Sequence, residues 1–260
     1  MNQKDTAAEI RPAATILLLR DAPGFEVLMV ERHHQIDFAS GALVFPGGKW
    51  HAGDHDPAWL EHVIGGDDFD SDQRALRIAA IREVFEEAGV LLARKDGAMI
   101  SGEAAPMDVR AAVDRGEMAF LDVVRGLGAK LDLDSLTIFA RWITPAIMPK
   151  RFDTWFYMAK APADQLAACD GRETVDATWI APAEALRKAE TGERKIIFPT
   201  RMNLQLLAEA SDAGDAIARA KARPLVTVEP KVEDRPDGKV LTLPADAGYG
   251  DVAESLSSVA

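Results

Sequence analysis

Arg82-Glu83-Val84-Phe85-Glu86-Glu87-Ala88-Gly89-Val90 is the stretch of this chain richest in groups that can do chemistry. Glu83, Glu86 and Glu87 fall at i, i+3 and i+4, so a helix places all three carboxylates on one face. Like charges that close repel one another. A sequence either leaves such a cluster in water or neutralises it with cations. One reading is therefore a solvated acidic helix face. The other is a site for a hard divalent cation such as magnesium, which takes carboxylate oxygens and keeps positions for water and substrate phosphates. Ile78, Ile81, Phe85 and Ala88 are spaced to bury the opposite side of the same helix. That buried side would fix the acidic face in place, which suits a metal site better than a loose run of charge.

The neighbouring residues define the elements that must hold this face. Asp72 can cap a helix running to about Ala88, and Gly89 sits where that helix would stop. Upstream, the apolar run 42–45 leads into Phe45-Pro46-Gly47-Gly48, a tight turn. Glycines there let backbone groups come close to a metal or a phosphate. Arg82 can pair with Glu86 one turn on.

These residues resemble the Nudix box, Gly-x5-Glu-x7-Arg-Glu-U-x-Glu-Glu-x-Gly-U, where U is an apolar aliphatic residue. Residues 82–90 match its second half at every specified position. The first half departs from it. With five residues between them, Gly48 is followed by Asp54 rather than Glu, and an insertion of roughly twenty residues, 55–74, separates the two halves. An interrupted box is similar to that of the RP2-like subfamily of Nudix hydrolases. Arg77-Ile78-Ala79-Ala80-Ile81, Trp142-Ile143-Thr144-Pro145 and Arg151-Phe152-Asp153-Thr154 extend the resemblance, which spans roughly 12–250.

The resemblance implies an α/β fold, the Nudix α/β/α sandwich, here with a helical insert and a C-terminal hairpin. It implies Mg2+ or Mn2+ held by Glu83, Glu86, Glu87 and the backbone carbonyl of Gly47 or Gly48. Gly47 and Gly48 would also border the substrate, and Arg82 would orient the carboxylates, pairing with Glu86 or with Asp54 in place of the box's usual glutamate. The general base in this family is often a glutamate on a loop before a late strand. Glu173, six residues ahead of Trp179, fits that place; Asp170 and Asp176 are neighbouring rivals, and Glu83 is the candidate within the box. The implied reaction is hydrolysis of a diphosphate bond in a nucleotide derivative. Coenzyme A or acyl-CoA leads, giving 3′,5′-ADP and (acyl-)4′-phosphopantetheine. NADH, ADP-ribose or a nucleoside diphosphate sugar is the alternative, as is a Nudix module that senses a nucleotide without cleaving it. Retention of all three box glutamates favours an enzyme.

Outside the box, Arg151 opens an expected strand and, with Lys150, could meet substrate phosphates, Asp153 holding Arg151 in place. Arg32 lies ahead of the glycine turn and could do the same. His33, His34, His51 and His55 flank that turn. The net charge of −12 argues against nucleic-acid or anionic-membrane partners, which call for a basic surface. No apolar run approaches the roughly 18–20 residues that span a bilayer. The polar N-terminus lacks a signal peptide's apolar core, and Ser257-Ser258-Val259-Ala260 is not a peroxisomal address. The single cysteine, Cys169, excludes an intrachain disulfide. Together these predict a cytoplasmic protein acting on a small nucleotide diphosphate, with a homodimer possible.

The pattern along the chain predicts a mobile tail over 1–11, a Nudix domain over 12–222 and a hairpin extension over 223–260 packed on it. Strands are expected at 15–19, 25–31, 43–45, 90–93, 136–144, 154–160 and 178–180. Besides the box helix, helices are expected within a 101–130 insert broken at Gly116, and over 182–188 and 200–220. Two strands over 225–243 should form a hairpin turning near Pro236-Asp237-Gly238.

Overall fold

The computed structural model describes residues 8–32, 41–162, 164–165, 167, 174–236 and 238–256. Residues 1–7 of the expected tail, His33, His34, Cys169, Asp170, Glu173 and Asp237 lie outside the described residues.

The chain begins with β1 (Ile10–Arg20) and β2 (Glu26–Arg32), then the short β3 (Leu43–Val44) and β4 (Gly47–Lys49). Two 3-10 turns, Ala52–His55 and Pro57–Glu61, lead through β5 (Val63–Ile64) to α1 (Ser71–Ala88). After α1 come β6 (Ala93–Lys95), β7 (Ala98–Met99), α2 (Met107–Asp114), α3 (Phe120–Leu127) and β8 (Lys130–Asp132). The long strands β9 (Thr137–Ile143), β10 (Arg151–Lys160) and β11 (Thr174–Ile180) precede α4 (Pro182–Glu190), α5 (Phe198–Leu207) and α6 (Ala213–Ala222). The chain closes with β12 (Thr227–Val228), β13 (Lys231–Arg235), β14 (Gly238–Thr242) and β15 (Ala253–Ser255).

The central sheet runs β11-β2-β1-β10-β9-β12, with β3 on β2 and β4 on β1. β1 and β10 pair in parallel from Ile10↔Arg151 to Leu19↔Lys160. Helices cover both faces, so β1 is a nearly continuous apolar run rather than an alternating one. Ala14, Ile16 and Leu18 pack with α1, while Leu17 and Leu19 pack with α5 and α6 on the far side. The result is the expected α/β/α sandwich. The insertion is anchored to it: Trp59 is fully buried, its indole donates to Gly53 O at 2.9 Å, and its ring lies 5.7 Å from Phe120 of α3.

Several local expectations are corrected. The cap of α1 is Asp70, whose carboxylate accepts from Gln73 N at 2.7 Å; Asp72 lies inside the first turn. α1 is buried around its whole circumference from Ala75 to Ala88, so its acidic face does not open to water. Residues 90–92 form no strand, because the Gln165 side chain takes both Leu91 N and Leu91 O, at 2.8 and 3.0 Å. The 200–220 helix is two helices, separated where Asp212 caps α6 by accepting from Asp215 N at 2.8 Å. The insert, expected to break at Gly116, forms the two helices α2 and α3 with Gly116 at φ 69° between them. The C-terminal hairpin β13–β14 gains a third strand, β15.

Candidate active site

The site forms where α1 lies against β1 and β4. β4 pairs with β1 through Gly47↔Thr15 and Gly48↔Ala14. Gly47 N donates to Glu87 Oε2 at 3.0 Å, a buried contact across 40 residues of sequence. Gly48 approaches Glu83 so closely that a Cβ there would sit 2.5 Å from its carboxylate oxygen. α1 then ends at Gly89, φ 73°, where a Cβ would also meet Arg110 Nη1 at 2.9 Å. Left-handed backbone and close approach both demand glycine there.

Arg82 organises the carboxylates. Nε and Nη2 form a bidentate pair with Asp54, at 3.0 and 3.1 Å. Nη1 donates to Glu83 at 2.8 Å and to Glu86 at 3.0 and 3.2 Å, and Nη2 also reaches Lys49 O at 2.8 Å. Both partners proposed for Arg82 are thus engaged at once, and Asp54 fills the place of the box's usual glutamate. Asp54 is itself positioned by accepting from His51 N at 2.7 Å. Burial works against the Arg82 charge, but Glu83, Asp54 and Glu86 overcome it and hold the guanidinium firmly protonated. Burial pushes Glu86 up to about 8; Arg82 opposes the rise, while Glu83 and Asp114 add to it. His51 is lowered by burial and by Arg82.

The remaining expected residues are dispersed. Arg32 ends β2, in register with Thr174 of β11. Glu173 lies just before that strand and outside the described residues. Arg151 is buried, donating to Thr144 O at 2.9 Å and to Glu229 at 2.6 Å. Asp153 does not hold it but pairs with Arg141 at 2.6 and 2.9 Å. Asp176 is within reach of Arg194, at 3.8 Å. His55 packs edge-on against Trp50, with centroids 4.3 Å apart.

Two residues that support the site carry no local sequence signal. Arg110, from the helical insert, donates to Glu86 O at 2.8 Å and so braces the end of α1. Gln165 clamps Leu91 and also donates to Ile100 O at 2.8 Å. Each acts across more than twenty residues, beyond the reach of periodicity or motif spacing.

The donor set is all oxygen: three carboxylates beside a strand of two glycines. Such a set fits a hard divalent ion with coordination left for water and phosphate. In this structure the carboxylates converge on Arg82 and Gly47 N. Among the described residues no three acidic, histidine or cysteine side chains meet in ion-holding geometry.

A glycine strand facing a buried Arg-Glu-x-x-Glu-Glu helix, inside an α/β/α sandwich, defines a Nudix hydrolase. Comparison with known proteins narrows this: the sequence model of the NUDT19 Nudix domain matches residues 65–206, more than half of the chain. The chain belongs to that family. It is 27% identical to the acyl-coenzyme A diphosphatase NUDT19 of Gallus gallus, covering 92% of this chain and 79% of that protein. To the protein of the same name from Homo sapiens it is 28% identical, over 91% of this chain and 76% of that one. Among solved structures, a NUDIX hydrolase from Alicyclobacillus acidocaldarius matches with TM-score 0.71 at 29% identity, covering 81% of this chain and 96% of that chain. No helix among the described residues is long and apolar enough to cross a membrane.

Proposed function

We propose that this Nudix hydrolase is a divalent-metal-dependent diphosphatase that cleaves coenzyme A or an acyl-CoA to 3′,5′-ADP and (acyl-)4′-phosphopantetheine. The observation that carries the metal dependence is the buried cluster of Glu83, Glu86 and Glu87 set against Gly47 and Gly48. The substrate rests on likeness to proteins named acyl-coenzyme A diphosphatase over nine-tenths of this chain.

Glu83, Glu86, Glu87 and the Gly48 carbonyl would hold Mg2+ or Mn2+, which supplies charge neutralisation on the diphosphate oxygens and an acidified water. Arg82 orients the neighbouring carboxylates. The bare backbone at Gly47 and Gly48 lets a diphosphate come near. Water oxygen bonds to one phosphorus as the bridging P–O bond breaks. The released proton goes to Glu173 or, within the box, to Glu83, and each product leaves as a phosphate monoester. Arg32 is a proposed phosphate contact; Arg151 would serve as one only by exchanging Glu229 for a phosphate oxygen.

The test is a substrate panel of coenzyme A, acyl-CoA, NADH, ADP-ribose and a nucleoside diphosphate sugar, each with Mg2+, Mn2+ or EDTA. Coenzyme A or acyl-CoA should be the best substrate, with both named products and no turnover in EDTA. Efficient cleavage of another member with coenzyme A untouched would overturn the substrate, and full turnover in EDTA would overturn the metal.

A further inference from the structure

α1 carries a second buried arginine that the hydrolytic site does not use. Arg77 is 4% exposed and lies six residues before Glu83, about 9 Å along the helix at 1.5 Å per residue. Its Nη1 donates to Gln73 O and to Gln73 Oε1, both at 3.0 Å. The guanidinium stacks over Phe69 at 3.7 Å and faces the Tyr157 ring at 5.0 Å. Among the described residues it forms no ion pair, and its buried Nε has no hydrogen-bond partner. Asp70 and Asp134 act on it only from a distance, too weakly to offset its burial. Beside it, the fully buried Tyr157 hydroxyl also lacks a partner. Burial pushes that phenol up, so it remains a neutral hydrogen-bond donor.

Arg77 opens on a cleft of about 280 Å3 between the start of β9 and the end of α6. Lys221 and Arg223 are the other charged residues lining it, and among the described lining residues none is acidic. Arg223 spends one Nη2 bond on Phe139 O at 2.7 Å and contributes mainly its charge. Ile138 and Leu225 add apolar wall, Leu225 being 47% exposed. In a chain of net charge −12, three cations around one small cleft without a lining carboxylate require explanation. A buried charge without a partner is costly, and an incoming anion would remove that cost.

We propose that this cleft binds a phosphate monoester, with Arg77 as its buried anchor and Lys221 and Arg223 supplying charge at its rim. Two units of negative charge match a site with three cations better than a single carboxylate would. The volume holds a phosphate group with a small apolar substituent against Ile138 and Leu225. The site is separate from the hydrolytic one, being on another face of α1, so it stands whatever the substrate there proves to be.

Inorganic phosphate is the probe, applied to the whole protein in EDTA with chloride matching the ionic strength. Calorimetry should show saturable binding in the wild type, together with a rise in Tm. The exposed Lys221→Glu variant should weaken binding at least tenfold without loss of folding, and Lys221→Arg should restore it. Arg77→Met should abolish binding; if that variant does not fold, the Lys221 pair decides the matter. Glu87→Gln should bind phosphate like the wild type. Absence of saturable binding in the wild type would overturn the site, as would binding unchanged in Lys221→Glu, or binding strengthened in Glu87→Gln, which would place the phosphate at the carboxylates instead.

Discussion

α1 buries two arginines and surrounds them in opposite ways. Arg82 is met by three carboxylates and a carbonyl, so that each of its nitrogens is engaged. Arg77, barely more exposed, is met by one glutamine and two aromatic rings. In the first arrangement the cation is fully met, and the carboxylates around it outnumber it three to one. The second is incomplete, since stacking on aromatic faces contributes only about 0.5–2 kcal/mol and leaves the charge without a counter-ion. The difference separates two uses of a buried cation. Arg82 arranges groups that act on something else; Arg77 is placed to meet something itself.

The largest effect should come from the carboxylates that Arg82 arranges. Glu87→Gln retains an oxygen for Gly47 N and removes a charge, so Tm should stay near wild type. Its kcat should fall on the order of a thousandfold, the several kcal/mol expected when a metal ligand is lost. Turnover within a few-fold of wild type would remove Glu87 from the metal site. Next in size is the stability contrast between the arginines. Arg82→Met strands Asp54, Glu83 and Glu86 together and should cost about 3–5 kcal/mol in urea unfolding. Arg77→Met loses stacking and two hydrogen bonds but strands no carboxylate, and should cost about 1–2 kcal/mol. Equal losses would mean that Arg77 has a counter-charge after all, and the comparison would fail.

The chain's pattern discloses one of these environments far better than the other. The three glutamates, Gly89 and the pairing of Arg82 with Glu86 follow from helical spacing, and Asp54 from its place in the box that the chain resembles. Strands β1, β2, β9 and β10 announce themselves because apolar and β-branched residues fill them between clear turns. What escapes is whatever depends on distant partners. Gln165 takes the hydrogen bonds that would have made residues 90–92 a strand. Asp212 ends one helical stretch and starts another by a side-chain cap that periodicity cannot weigh. The surroundings of Arg77 escape for the same reason, because neither the rings of Phe69 and Tyr157 nor the cleft beyond them is given by its helical spacing.

The smallest effect is a pH dependence that belongs to the Arg82 side alone. In metal-free protein Glu86 is pushed up to about 8, chiefly by burial, from an ordinary value of 4.5. The native state therefore holds a proton that the unfolded chain has released. The stabilisation this provides is complete below 4.5 and is lost as pH rises through about 8. Glu86→Gln carries no such proton. In EDTA, wild type should therefore lose stability relative to Glu86→Gln between pH 5 and pH 8.5, by on the order of 1–2 kcal/mol, because Arg82 and Glu83 respond together with Glu86. Saturating Mg2+ should remove the trend, since the ion favours the ionised carboxylate. Arg77→Met should show the wild-type pH trend, displaced by its constant loss of stability. Urea unfolding at pH 5, 6.5 and 8.5 measures all three proteins on one scale. A flat wild-type difference across that range would mean that Arg82 already keeps Glu86 ionised, leaving the cluster fully charged before any metal arrives.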